Sequence, residues 1–114
     1  MGIMDAIMGD EIDRDAYVNY QTLLYAVQRE MFCQDTGAIL DVRRAVLSTV
    51  RLPDGAAVAL IRTDEAFDRV GGVDLVKATA DHFGGTYEVI DGRDFTADGK
   101  LRAAARKRIT AAQA

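Results

Sequence analysis

The chain has 114 residues, of which 49% are hydrophobic and 28% charged, and it carries a formal net charge of −4. This length suits one domain with a single core, and the even spread of apolar residues excludes wholesale disorder. No apolar run reaches the ~18 residues that a membrane helix needs, and the acidic N-terminal segment lacks the pattern of a secretory signal. One cysteine cannot form an internal disulfide, so we expect a soluble cytoplasmic protein without membrane contact.

The first predicted element is a helix from Asp13 to about Met31, which follows a flexible N-terminus over residues 1–12. Asp13 suits the N-cap position, because its carboxylate can accept hydrogen bonds from the first free N–H groups of a helix. Apolar side chains then recur at alternating spacings of three and four residues, which places them along one seam of the helix. The residues of this seam are Tyr17, Tyr20, Leu24, Val27 and Met31.

A pair of strands is predicted next. Residues 38–52 are rich in β-branched side chains, which favours a strand. The P-D-G sequence at 53–55 is a turn signal, because proline presets its own torsion angle and glycine tolerates a positive one. Residues 56–62 then form the returning strand, so the sequence predicts an antiparallel hairpin.

The remaining elements complete the fold class. Thr63 or Asp64 can cap a helical region that runs to Phe83 with an interruption at a glycine pair, a third strand covers residues 86–90, and a last helix ends the chain. We predict one compact α+β domain over residues 13–114. Its antiparallel sheet of about three strands is covered by helices, in the order α-β-β-α-β-α.

Cys33 raises the question of a chemical site. It begins the sequence C-Q-D-T-G, the outline of a C-x-x-C-G zinc knuckle with Thr36 in place of the second thiolate. A structural zinc site needs four ligands, and this chain has one cysteine and one histidine, His82, so we expect no metal. A nucleophilic Cys33 would need His82 as its base, and nothing in their spacing supports that pair. We therefore expect Thr36 and Gly37 to turn the chain while Cys33 packs as a small hydrophobe, and we predict no cofactor and no enzyme.

The charges are distributed unevenly. Residues 1–35 hold seven acidic and two basic side chains, whereas residues 100–114 hold five basic and no acidic ones. Such asymmetry marks either an interaction tail or two ends that attract each other, within a chain or between subunits. A basic final helix can contact phosphates, so the alternative function is a small nucleic-acid-binding protein. Its candidate contacts are Arg102, Arg106, Lys107 and Arg108.

The leading functional hypothesis is protein binding through the seam of the first helix. Three tyrosines within residues 17–25 exceed what one small sheet face readily buries. Tyrosine favours interfaces, since it combines an apolar ring with a hydroxyl group. We therefore expect a non-catalytic accessory, adaptor or inhibitor protein that forms a homo-oligomer or docks onto a host protein through this seam.

One segment resembles a known group of proteins. Residues 31–47, M-F-C-Q-D-T-G-A-I-L-D-V-R-R-A-V-L, resemble segments of short accessory proteins of actinobacterial phages, where a helix leads through C-x-x-[CT]-G into an L-D-x-R-x-A-V strand. The resemblance carries no catalytic signature. It implies a phage or mobile-element protein of unassigned role that binds a host factor.

Overall fold

The helices and strands follow the order expected from the sequence. A computed structural model describes residues 3–113, with side chains over residues 11–112. The elements are α1 (Ile3–Glu30), β1 (Ala45–Arg51), β2 (Ala57–Thr63), α2 (Asp64–Arg69), α3 (Gly72–Phe83), β3 (Thr86–Asp91) and α4 (Ala103–Gln113). The predicted α+β class and the order α-β-β-α-β-α are confirmed, with α2 and α3 as the two halves of the interrupted helical region.

The sheet has β1 at its centre, in the order β2-β1-β3. β1 pairs antiparallel with both neighbours, so β2 and β3 run parallel to each other on opposite sides of it. The predicted hairpin is confirmed, but its first strand begins at Ala45 instead of residue 38. Asp41 explains the late start, because its carboxylate accepts a 3.0 Å hydrogen bond from the Arg43 N–H and caps a short 3-10 turn there.

Helices cover both faces of the sheet. Ala45 and Ile61 belong to the core cluster that packs against α1, whereas Val46 packs with Phe67 and Val76 from α2 and α3. Successive residues of β1 therefore point into different cores, as the alternation of side chains along a strand requires. The result is a three-layer arrangement in which the central strand is buried on both sides.

The first helix is longer than predicted. It begins at Ile3, ten residues before the expected start, and the backbone of residues 3–12 is helical; Met1 and Gly2 of the predicted flexible N-terminus lie outside the described residues. Asp13 is therefore not an N-cap, and its carboxylate instead pairs with the Arg106 guanidinium of α4. The segment before Asp13 contains no proline, so nothing in it forces the helix to stop.

The predicted seam of α1 is split between core and solvent. The buried line of the helix runs through Ala16, Leu23 and Val27. Tyr20 packs against this core, with its ring centroid 5.2 Å from that of Phe95. The other seam residues point away from the core: Tyr17 and Met31 are exposed and Leu24 is half-buried. Only one side of α1 contacts the sheet, and the seam is too broad for all of its residues to lie on that side.

Two close contacts fix the end of β3. Gly92 lies so near the backbone that a Cβ there would come within 1.9 Å of the Val42 carbonyl oxygen, so glycine is required. The Arg93 guanidinium donates hydrogen bonds to Asp91 at 2.8 Å and to Asp68 of α2 at 2.7 Å. Its hydrogen bonds to Asp91, and then those to Asp68, raise the pKa of Arg93, while its guanidinium lowers the pKa of Asp68.

We predict that neighbouring leucines of α1 differ sharply in their contribution to stability. Leu23 is 0% exposed, so Leu23→Ala should lower the free energy of unfolding by about 3 kcal/mol through lost burial and the cavity left behind. The matched control Leu24→Ala should cost less than about 1 kcal/mol, because that side chain is only half-buried. Urea unfolding of both variants measures the difference. Equal losses would contradict the assignment of the buried face.

Candidate interaction surface

A tight loop follows α1 and brings the chain back toward the sheet. The Cys33 N–H donates to the Ala38 carbonyl at 2.7 Å, and the Gly37 N–H donates to the Cys33 carbonyl at 2.8 Å. Gly37 has a φ of +75°, which glycine adopts without steric cost. The prediction that Thr36 and Gly37 turn the chain is thus confirmed. Beyond the turn, Phe32 and Ile39 face each other in an antiparallel bridge.

The loop presents an exposed group of apolar side chains, which we call the apolar tip: Met31, Phe32 and Ile39. Ile39 is 80% exposed, Met31 is 57% exposed, and Phe32 is also exposed. Sequence reasoning identified Met31 but missed the other two. The signal available for them was weak, because an apolar residue beside a buried one, as Ile39 is beside Leu40, equally suits a strand with two covered faces.

Met31 also carries backbone strain. It is the one non-glycine residue with positive φ, +66°, among those whose conformation the structure describes. It directly follows the last residue of α1, the position where a left-handed residue commonly ends a helix and where glycine is preferred. A side chain in this conformation costs roughly 1–2 kcal/mol. The protein therefore holds a large apolar side chain in solvent, at a place where glycine would be more stable.

The apolar tip continues onto α1. Tyr17 and Leu24 are spaced seven residues apart, so they lie along one side of α1, and Met31 follows just beyond the end of the helix. We call these two residues together with the apolar tip the outer stripe. At 1.5 Å per residue, the distance from Tyr17 to Met31 is about 20 Å. Tyr20 and Val27, the other two predicted seam residues, face the core. Of the five predicted seam residues, two are therefore exposed, one is half-buried and two serve the fold.

Cys33 lies in the core, as the sequence predicts for a small hydrophobe, and is 3% exposed. Burial raises the pKa of its thiol. Hydrogen bonds from the Thr36 side chain and from the backbone of Thr63, Thr36 and Asp35 lower it more strongly, and the resulting pKa is about 7. These donors, which belong to the turn and to Thr63 of β2, favour the thiolate, an effect that the amino-acid pattern alone does not indicate.

The structure does not join Cys33 to the histidine. His82 lies in the last turn of α3, where its ring contacts Phe83 edge-on, and α3 packs against the opposite face of the sheet from Cys33. Within the described part of the chain, no group of three or more His, Cys, Asp or Glu side chains is placed to hold a metal ion.

The basic residues of the C-terminal segment are largely occupied by contacts within the chain. Arg106 pairs with Asp13 of α1, Arg108 lies 2.8 Å from Asp94, and the Arg102 Nε donates to the Phe95 carbonyl at 3.0 Å. Burial raises the pKa of Asp94, although the Arg108 charge opposes this rise. Of these contacts, the Arg106–Asp13 pair joins the two ends of the chain, so it supports attraction between the ends within one chain as an explanation of the charge asymmetry.

Comparison with known proteins adds no relative. No protein-family model matches the chain, and searches of curated proteins and of solved structures find no significant match. Within residues 3–113, no helix combines the length and the apolar character needed to cross a membrane. The resemblance of residues 31–47 to phage accessory proteins stays a prediction.

We predict that ionisation of Cys33 stabilises the fold. Its pKa is about 7 in the folded protein and 9.0 as the ordinary value, so the unfolded chain binds more protons between these limits and stability rises with pH. The contribution is complete above pH 9 and is lost as the pH falls through 7. Two pKa units correspond to about 2–3 kcal/mol.

Urea unfolding at several pH values, compared between the natural protein and Cys33→Ala, isolates this contribution from that of other groups. As the pH rises from about 6 to about 9, the unfolding free energy of the natural protein should increase relative to that of Cys33→Ala. Parallel pH profiles would show that the thiol is not ionised in the fold.

Proposed function

We propose that this protein is a non-catalytic interaction protein that binds a partner protein through the outer stripe. The observation that carries the proposal is Met31, an exposed apolar side chain held in a strained backbone conformation. Backbone strain is commonly found where binding or switching requires a particular side-chain position. Phe32 and Ile39 beside it extend the same apolar character.

The geometry of the outer stripe favours a helical or similarly elongated partner. Apolar residues at intervals of seven are one half of a coiled-coil seam, and a groove of a partner or a second helix can cover such a line. Tyr17 adds a large ring with a hydroxyl group, a side chain that is common among strongly contributing interface residues. An accessory, adaptor or inhibitor role agrees with a small domain whose distinctive feature is an apolar surface.

The nucleic-acid alternative receives less support from the contacts. Arg106 and Arg108 already neutralise acidic side chains, so α4 has less free positive charge than its sequence indicates. Lys107 is exposed and forms no ion pair with the side chains of residues 11–112. Binding to duplex and single-stranded DNA, measured over a range of salt concentrations, tests this alternative, because phosphate contacts weaken steeply as salt rises. Tight binding with that dependence would favour it over the outer stripe.

The partner can be sought by affinity capture from the native host followed by mass spectrometry. Leu24→Glu should reduce capture of the true partner by at least about tenfold, since a charge in the middle of an apolar contact is left without solvation. Thr22→Glu is the matched control, because it adds the same charge at an exposed site on the opposite side of α1 and should leave capture unchanged. A partner captured equally by the natural protein, Leu24→Glu and the control variant would contradict binding at the outer stripe.

Met31 yields a second prediction, in which stability and binding change in opposite directions. Met31→Gly should raise the free energy of unfolding by about 0.5–1 kcal/mol, because glycine relieves the left-handed strain, and should weaken partner binding. Met31→Ala should weaken binding to a similar degree without the gain in stability. Urea unfolding and titration with the captured partner measure both effects. Unchanged affinity in both variants would exclude Met31 from the interface.

A further inference from the structure

The free edge of β2 is capped over only part of its length. The Ile61 N–H donates to the Gln34 Oε1 at 2.7 Å, and the Gln34 N–H donates to the Ile61 carbonyl at 3.1 Å. Both backbone groups of Ile61 therefore point away from β1. Because alternate residues of a strand direct these groups to the same side, those of Ala57 and Ala59 point outward as well. Within residues 3–113, no hydrogen bond caps them.

This edge is apolar in the sheet itself and in the helical layers on both sides of it. Val58 is 53% exposed, and a groove of about 230 Å³ separates β2 from α3, where Leu75 and Phe83 are exposed at its rim. On the other face, a groove of about 240 Å³ separates β2 from α1, with exposed Tyr25 at its rim. Residues 56–61 contain neither charge nor proline, the two features that commonly protect edge strands from pairing.

We propose that a second copy of this chain pairs with β2 edge to edge, forming a two-fold dimer with a continuous six-stranded sheet. The open backbone groups fix the register. Ala57 of one copy lies opposite Ala59 of the other, which gives four hydrogen bonds, and Val58 lies opposite Val58 of the second copy. A register shifted toward Ile61 is excluded, because Gln34 already bonds the backbone of that residue. A shift in the other direction is excluded, because the turn at residues 53–55 leads the chain away from the other copy.

A second copy fits this edge better than an isolated peptide strand. Four backbone hydrogen bonds contribute about 2–6 kcal/mol net, which does not offset the roughly 4–15 kcal/mol lost on association, so a stable complex also needs apolar contact beside the strand. In a two-fold pair whose axis is perpendicular to the sheet, each copy places its α1 beside the other α1 and its α3 beside the other α3. The second copy would then cover the exposed rings of Tyr25 on the α1 side of the sheet and Phe83 on the α3 side. Because residues 56–61 carry no charge, no like charges would meet across the two-fold axis. This interface is separate from the outer stripe and does not rest on the function proposed for it.

The mass in solution tests the proposal. Sedimentation equilibrium of the full chain, up to about 1 mM, should show a species of twice the 12.4 kDa chain mass. Val58→Lys should weaken dimerisation at least about tenfold, because two like charges would face each other across the axis. Val58→Thr, a β-branched substitution without charge, should keep the dimer. Leu24→Glu should also keep it, which separates this interface from the outer stripe.

Cross-linking tests the register even if Val58→Lys fails to fold. Val58→Cys should oxidise to a covalent dimer, since directly opposed residues of this pair type lie about 4.5 Å apart at Cα, within the range of a disulfide. Ala57→Cys is the control. Its symmetry mate lies two positions along the strand (~6.8 Å) and one strand spacing across (~4.8 Å), so the two Cα atoms are about 8 Å apart, beyond the roughly 7 Å limit. A monomeric natural protein, a dimer unaffected by Val58→Lys, a dimer lost in Leu24→Glu, or equal cross-linking by both cysteine variants would each overturn the proposal.

Discussion

The burial of β1 on both faces is the constraint on which the rest of the structure depends. A strand with two covered faces needs apolar side chains at successive positions, and Ala45 and Val46 are both fully buried. Each face then requires its own helical cover, which α1 supplies on one side and α2 with α3 supply on the other. The charged residues that enter this interior are accommodated in pairs: Arg62 reaches Asp35 of the loop at 2.5 Å and so joins the loop to β2.

The sequence was sufficient for the elements whose signals are local. The P-D-G turn, the cap at Thr63 or Asp64 and the helix end at Phe83 depend on a few adjacent residues. The turn and the helix end are predicted correctly, and Thr63 is the residue that caps α2. The predicted seam of α1 includes Leu24, whereas the buried line of the helix runs through Leu23, because the two leucines are equally apolar. Only the position of the sheet determines which of them faces the core. The ion pairs of Arg62 and Arg106 join distant segments, so no local pattern indicated them.

The candidate surfaces also depend on tertiary contacts that local sequence patterns do not indicate. The five seam residues are selected by their spacing, but spacing does not reveal that two of them, Tyr20 and Val27, serve the fold. The apolar tip depends on how the loop pairs Phe32 with Ile39, and the open part of β2 depends on where Gln34 lies. Both features arise from one loop between α1 and β1. That loop exposes apolar side chains at its tip and, through Gln34, limits how much of the neighbouring strand remains accessible.

The position of β1 between its two partners also has a consequence for the order of folding. Its pairing with β2 closes a loop of only a few residues, as in Val50 opposite Val58, whereas its pairing with β3 joins Val50 to Tyr87. Loop-closure entropy makes the second step costlier by about 1.4 kcal/mol. On a growing chain the hairpin can therefore assemble early, while the opposite side of β1 waits for the C-terminal third to be synthesised. During that interval the central strand is itself an edge, and α1 is the cover already available to shield it.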